Sequence, residues 1–291
     1  AYDNGKALCV KPSDGSGDFD FSRNSAATRV NAQGLVENVQ ILSSNLVQNG
    51  DFSEEGAEEV SNGSFSQEGA EEVTNGSFDT DSDWNKTQAI ISNGEANISS
   101  DGSYAAIDQS NVSVIGKTYF YSIDVKSIIG TLQFRLGSGT DVDITTIGVK
   151  TGYIKATSTT LEIKRKSGAG VIDATIDNVS VREVGQDWIF STGWSIGEDI
   201  ANCSGGAAQV LYQANLIPIG TQYKLTFTVS NFSQGYLSAY GGDWDAQGVI
   251  QSNGTFTIYT EKLATSNTGF VGNGFIGSIT NISVKEVGQN W

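Results

Sequence analysis

Polar and apolar residues alternate along this chain with a period of two. Tyr119, Tyr121, Ile123 and Val125 interleave with Phe120, Ser122 and Asp124, and Tyr223, Leu225, Phe227 and Val229 interleave with Lys224, Thr226 and Thr228. Successive side chains of a strand point to opposite faces, so each stretch predicts a strand with one buried face and one wet face. Such runs are short and are separated by clusters of Gly, Asn, Ser and Asp, and helical periodicity is almost absent. The predicted fold class is all-β, built as sandwiches.

The strands recur in order. "IDNVSVREVGQDW", residues 176–188, and "ITNISVKEVGQNW", residues 279–291, agree at nine of thirteen positions, and their tryptophans lie 103 residues apart. Upstream, "GKTYFYSIDVK" at Gly116 answers "GTQYKLTFTVS" at Gly220, an offset of 104. A repeat of this length is one duplicated module. A shorter repeat precedes both: "NGDFSEEGAEEVS", "NGSFSQEGAEEVT" and "NGSFDTDSDW" begin at Asn49, Asn62 and Asn75, in steps of 13 residues. The expected layout is an N-terminal segment over residues 1–44, acidic repeats over 45–74, one sandwich over 75–188 and a second over 189–291. Clustered acidic residues read as a duplicated entry strand now serving as a solvated spacer, with each copy adding a short strand or hairpin to a neighbour, and so extending a shaft or an inter-subunit sheet, as the alternative.

Composition narrows the chemistry. The chain of 291 residues has 35 Gly and 2 Pro, which suits turn-rich β structure, and its 38% hydrophobic content is enough for two cores. Its two cysteines, Cys9 and Cys203, fall in different segments and are expected as free thiols. Net charge is −16, with no basic stripe, which disfavours nucleic acid. No apolar run approaches the length of a membrane span. Histidine is absent, which removes Ser–His and Cys–His nucleophilic sites and every His-ligated metal. Carboxylate chemistry of the glycosidase type stays formally open, but no spacing singles out an acid and a base, and the expectation is no enzyme.

The segments "NLVQNGDF", "NGSFDTDSDW", "GKTY" and "IDNVSVREVGQDW" resemble the carbohydrate-binding-module type of β-jelly roll, with galactose-binding-like topology, over about residues 45–291. Similar tandem modules occur in structural proteins of tailed bacteriophages. The stretch "GSGDFDFSRNSAATRVNAQGLVENV", residues 15–39, resembles a segment near the N-termini of phage fibre and other virion surface proteins. It holds too little apolar surface to fold alone and is expected to dock on a capsid or tail partner or on sister subunits. The resemblance implies a non-catalytic virion surface protein, either a head fibre or capsid decoration or a tail fibre. It would be a homo-oligomer, with a trimer as the expectation, and would adhere to cell-surface glycans. A secreted bacterial carbohydrate-binding adhesin and a structural cement protein without ligand are the alternatives.

Sugar recognition by such modules stacks an aromatic ring on the apolar face of a pyranose while polar side chains meet the hydroxyls. Trp194 in "GWS", Tyr240 and Trp244 in "YGGDWDAQG", and Tyr104 in "DGSYAAI" are the candidates, each weighed against a place in a sandwich edge or subunit contact. Trp188 and Trp291 stand at matching ends and are expected in a core or a junction. Asp79, Asp81 and Asp83 alternate in "DTDSDW", a spacing of hard oxygen ligands suited to Ca²⁺. The resembling modules place an acidic residue of the closing strand opposite, where Asp177 stands, and the second copy has Thr280 there. A structural calcium is therefore the expectation for the first module, with no other cofactor required.

Overall fold

The computed structural model describes residues 53–240, 248–263 and 267–288, together with 28–38, Asn49 and short stretches at 2–3 and 6–7. The chain divides into two compact units, Ala1–Gly50 and Asp51–Trp291. In the first, β1 (Tyr2–Asp3) pairs with β2 (Lys6–Ala7), and β3 (Thr28–Val30) pairs with β4 (Val36–Asn38). The Asn31 side chain accepts from the N–H groups of Gln33 and Leu35, closing the β3–β4 turn. Residues 15–27 of the stretch 15–39 lie outside the described residues.

The second unit is all-β. Its first two strands, β5 (Glu55–Glu58) and β6 (Glu68–Glu71), come from the acidic repeats. Eight strands follow that make up the first sandwich with β7 (Asn85–Thr87) and β8 (Ala89–Ser92): β9 (Glu95–Ser100), β10 (Ala106–Gln109), β11 (Thr118–Ile129), β12 (Leu132–Arg135), β13 (Val142–Ile144), β14 (Gly148–Lys155), β15 (Leu161–Arg165) and β16 (Ile172–Val184). One layer has the order β13-β12-β15-β10-β7 and the other β14-β11-β16-β9-β8. The second sandwich contains β17 (Ile189–Phe190), β18 (Trp194–Gly197), β19 (Ile200–Ser204), β20 (Gln209–Gln213), β21 (Gln222–Tyr240), β22 (Gly254–Glu261) and β23 (Thr268–Val287).

The two sandwiches share one plan. In the second, β21 and β23 are long enough to serve both layers, and their mutual register breaks between Ser230 and Gln234. The part of β21 before the break pairs with β22 and the end of β23, as β11 pairs with β14 and β16. The part after it pairs with the start of β23, as β12 pairs with β15. Alternation explains the cores: Tyr119, Tyr121, Ile123 and Val125 are buried in one, and Tyr223, Leu225, Phe227 and Val229 in the other.

The acidic repeats do not form a free spacer: they pair as strands within their own chain. β6 pairs with β16, Glu71 opposite Arg182, and β5 pairs with β23, Glu58 opposite Lys285. Each therefore adds an edge strand to a closing strand of its own chain. Both docks use the same contacts. Glu71 Oε1 accepts from the N–H groups of Val73 and Val181, and its Oε2 accepts from Ser180 Oγ. Glu58 does the same with Val60, Val284 and Ser283. Gln109 clamps the backbone of Thr74 through both amide atoms, as Gln213 clamps Ser61. Asn178 (φ 50°) and Asn281 (φ 52°) occupy bulges, where Asn tolerates the left-handed backbone better than most residues. Each bulge turns the next N–H, of Val179 or Ile282, onto the carbonyl of Gly76 or Gly63 at 2.9 Å. A Cβ on either glycine would lie 2.0 Å from a closing-strand oxygen, so the approach requires glycine.

These docks fix the domain plan. Val73 and Phe78 belong to the first core, whereas Val60 and Phe65 belong to the second, with residues from Val184 onward. The second sandwich is thus discontinuous, and the first is inserted between its leading segment and its body. The sequence bounds of 45–74, 75–188 and 189–291 cut across this arrangement. Trp188 follows the same logic: its ring lies 5.2 Å from Phe65 at 44°, as Trp84 lies 5.3 Å from Phe78 at 44°. Their indole N–H groups donate to Asn62 O and Asn75 O. Trp188 therefore opens the second sandwich and does not close the first.

Candidate functional site

In the first sandwich, Ile107, Ile163 and Phe134 lie opposite one another on β10, β15 and β12 and point into the core. Their neighbours must point outward. Asp108, Glu162 and Arg135 form one outward row across the layer, with Asn85 beside Asp108, and Lys164, Gln133 and Asp143 form the next. Glu162 is central: Oε1 accepts from Tyr104 OH, and Oε2 accepts from Arg135 Nε at 2.5 Å. Asn85 donates to Asp108 at 2.9 Å, and Gln133 to Asp143 at 3.0 Å. Tyr104 is 51% exposed. Burial of its hydroxyl, reinforced by the Glu162 hydrogen bond, pushes its pKa up to about 12, so it stays a donor at neutral pH. The face is polar, preorganised and held by charge-assisted hydrogen bonds.

The same register in the second sandwich reads Tyr212, Gly269, Tyr240 across β20, β23 and β21. Tyr212 takes the place of Asp108, Gly269 that of Glu162, and Tyr240 that of Arg135. Gly269 has no side chain, so the tyrosine rings on its two flanking strands meet across it, 4.7 Å apart and tilted by 37°. A Cβ there would sit 2.1 Å from Leu211 O. The result is a partly exposed pair of packed aromatic rings where the first sandwich has an ionic network. Behind it lies Lys262, fully buried, whose Nζ donates to the carbonyls of Tyr240 and Asn267. Desolvation lowers its pKa to about 8.

Tyr104 and Tyr240 thus stand on equivalent faces. Trp194 does not: it is 4% exposed, its indole donates to Gln209 O at 3.1 Å, and its ring stacks 6.1 Å from Phe275 in the second core. A ring so buried cannot stack its face on a sugar at the outer sheet, and Trp194 is a core residue. Trp244 lies outside the described residues. Sequence reading missed Tyr212, Arg135, Glu162, Asp108 and Asn85. Tyr212 was within reach, because "QVLYQ" alternates around the buried Leu211 and Gln213.

The four carboxylates of the calcium expectation are engaged in other hydrogen bonds and ion pairs. Asp79 accepts from Ser77 Oγ, Asp81 pairs with Lys86 and Asp83 accepts from Ser82 Oγ. Asp177 accepts from both nitrogens of Asn178 and pairs with Lys126 at 3.4 Å. The Asn75 amide donates to the carbonyls of Thr80 and Ser82. Among the described residues no three acidic, His or Cys side chains converge as a metal site. Cys203 is a buried free thiol, its pKa raised by burial; Cys9 lies outside the described residues.

No family model matches the sequence, and no curated protein matches it. Among solved structures, the N-terminal CBM22-1-CBM22-2 tandem domain of Paenibacillus barcinonensis Xyn10C aligns over 76% of this chain and 99% of its own, at 9% identity and a TM-score of 0.29.

Proposed function

We propose that this protein is a non-catalytic adhesion protein of a phage particle, and that its sandwiches bind glycans on the outer faces just described. The Tyr212–Tyr240 platform carries the reading. Two partly exposed rings packed against one another leave an apolar edge on the outer face, against which the apolar face of a pyranose can lie. On the first sandwich, Tyr104, Arg135, Asp108 and Asn85 supply donors and acceptors suited to hydroxyls. The face's carboxylates Glu162 and Asp108 are held in hydrogen bonds, which suits binding better than proton transfer.

The virion placement is supported by the sequence resemblance of residues 15–39. Attachment to a capsid or tail partner is supported by the β3–β4 hairpin, where Val30, Leu35 and Val36 are 65–71% exposed. An oligomer, a trimer in this reading, displayed in many copies would multiply weak sugar contacts into firm adhesion.

Two measurements test the two halves. On an array of neutral oligosaccharides the parent protein should bind a subset, and Tyr212→Ala with Tyr240→Ala should weaken binding at least about tenfold while the protein still unfolds cooperatively well above the assay temperature. No binding by the parent, or binding indifferent to both tyrosines, rejects the glycan reading. An engineered surface cysteine, labelled on purified particles, should decorate head or tail; particles without label reject the virion reading.

A further inference from the structure

The insertion creates a joint that neither sandwich has alone. The chain crosses it twice, from Phe65 to Glu68 and from Val184 to Trp188. On the outer face of the β14–β11–β16 layer, Tyr153 and Phe120 form one row, 5.3 Å apart, and pack against the second core. The next row, Lys155, Thr118 and Val184, is left facing a gap. That gap is a cavity of about 250 Å³, closed on the far side by Trp188 and Phe190 of the second sandwich.

We propose that this cavity is a separate binding site for a single acidic sugar residue, one bearing a carboxylate, at the end or branch of a glycan. Size sets the first limit. At about 250 Å³ it falls just below the roughly 300–1,000 Å³ of clefts for drug-sized ligands, so one pyranose fits and a longer stretch must lie outside. The lining sets the second. Phe190 and the edges of the buried Val184, Trp188 and Trp194 give an apolar wall, and the rim residues Ile115 and Ile189 are 65% and 44% exposed, although an exposed large apolar side chain gains by being covered.

Charge sets the third. Two cations line the cavity. Lys117 is paired with Glu183 at 3.0 Å, whereas Lys155 is exposed and makes no ion pair among the described residues. Against the repulsion of a chain of net charge −16, the unpaired Lys155 ammonium beside an apolar wall favours, locally, an anion with an apolar face. A carboxylated pyranose has both.

The test is a calorimetric titration of the whole protein with tri-galacturonate and, in parallel, a neutral galactose trisaccharide. The acidic probe should bind, should weaken with added salt, and should lose at least about tenfold affinity in Lys155→Glu while Tyr240→Ala leaves it unchanged. Lys155→Gln, which keeps size but not charge, should fall in between. Lack of acidic binding, equal binding of both probes, or indifference to Lys155→Glu overturns the proposal. Loss in Tyr240→Ala with no effect of Lys155→Glu would assign the acidic sugar to the sheet face instead.

Discussion

Phe65→Ala should unfold a sandwich whose body begins more than a hundred residues further along the chain. Phe65 is 2% exposed in the second core, against the Trp188 ring. Truncating a buried Phe to Ala costs about 3–5 kcal/mol, and the ring contact adds roughly 0.5–1.5 kcal/mol to what is lost. A loss of about 4 kcal/mol would lower the melting temperature of a domain of this size by more than roughly 15 °C. Hydrogen exchange read by peptide mass spectrometry gives the location. Peptides from β20, β21 and β23 should exchange faster in Phe65→Ala, while β9, β11 and β16 keep their protection. Phe78→Ala, equally buried in the first core, should give the reverse pattern. If Phe65→Ala instead loosens the first sandwich, which is its nearer neighbour in sequence, the nested assignment of the repeats is wrong.

The glycines at the docks make a second pair. Gly76→Ala should destabilise the first sandwich and Gly63→Ala the second, each by about 3 kcal/mol in urea unfolding, the upper end of overpacking costs, because the new Cβ meets backbone that cannot yield. Equal effects on both sandwiches would contradict this. Lys262 gives a pH signature. Between about 8, its folded value, and 10.5, the unfolded chain holds the proton and the folded chain does not, so its contribution to stability rises with pH across that window. The stability difference between the parent and Lys262→Met should be flat below pH 8 and move in the parent's favour up to pH 10.5. A difference that stays flat throughout would remove the buried ammonium from the account.

Period-two alternation determined the strands, since a residue's face follows from its place in a pleat, and β11 and β21 bury the residues the pattern selects. Repetition determined that there are two sandwiches of one plan. Asn178, Asn281, Gly63 and Gly76 were visible as copies, and their backbone geometry explains why they are copied. Partnership was decided only by the tertiary structure. The segments over 55–65 and 68–78 carry the same Glu, Val, Gly and Phe, and the closing strands carry the same acceptors, so local chemistry cannot say which joins which. Connectivity decides: the second segment runs straight into Trp84, leaving the first to reach across the inserted sandwich to Trp188. Phe52 and Trp291 write the pattern a third time in sequence and lie outside the described residues. The site was legible for the same reason only in part. Tyr104 and Tyr240 were marked by their turns, and Trp194 was marked equally, since a Gly-flanked tryptophan reads alike whether its strand faces water or the core. Which strands lie side by side, and hence that Tyr212 and Tyr240 meet over Gly269 where Glu162 would have stood, depends on pairing between residues far apart in the chain, and no local pattern encodes that.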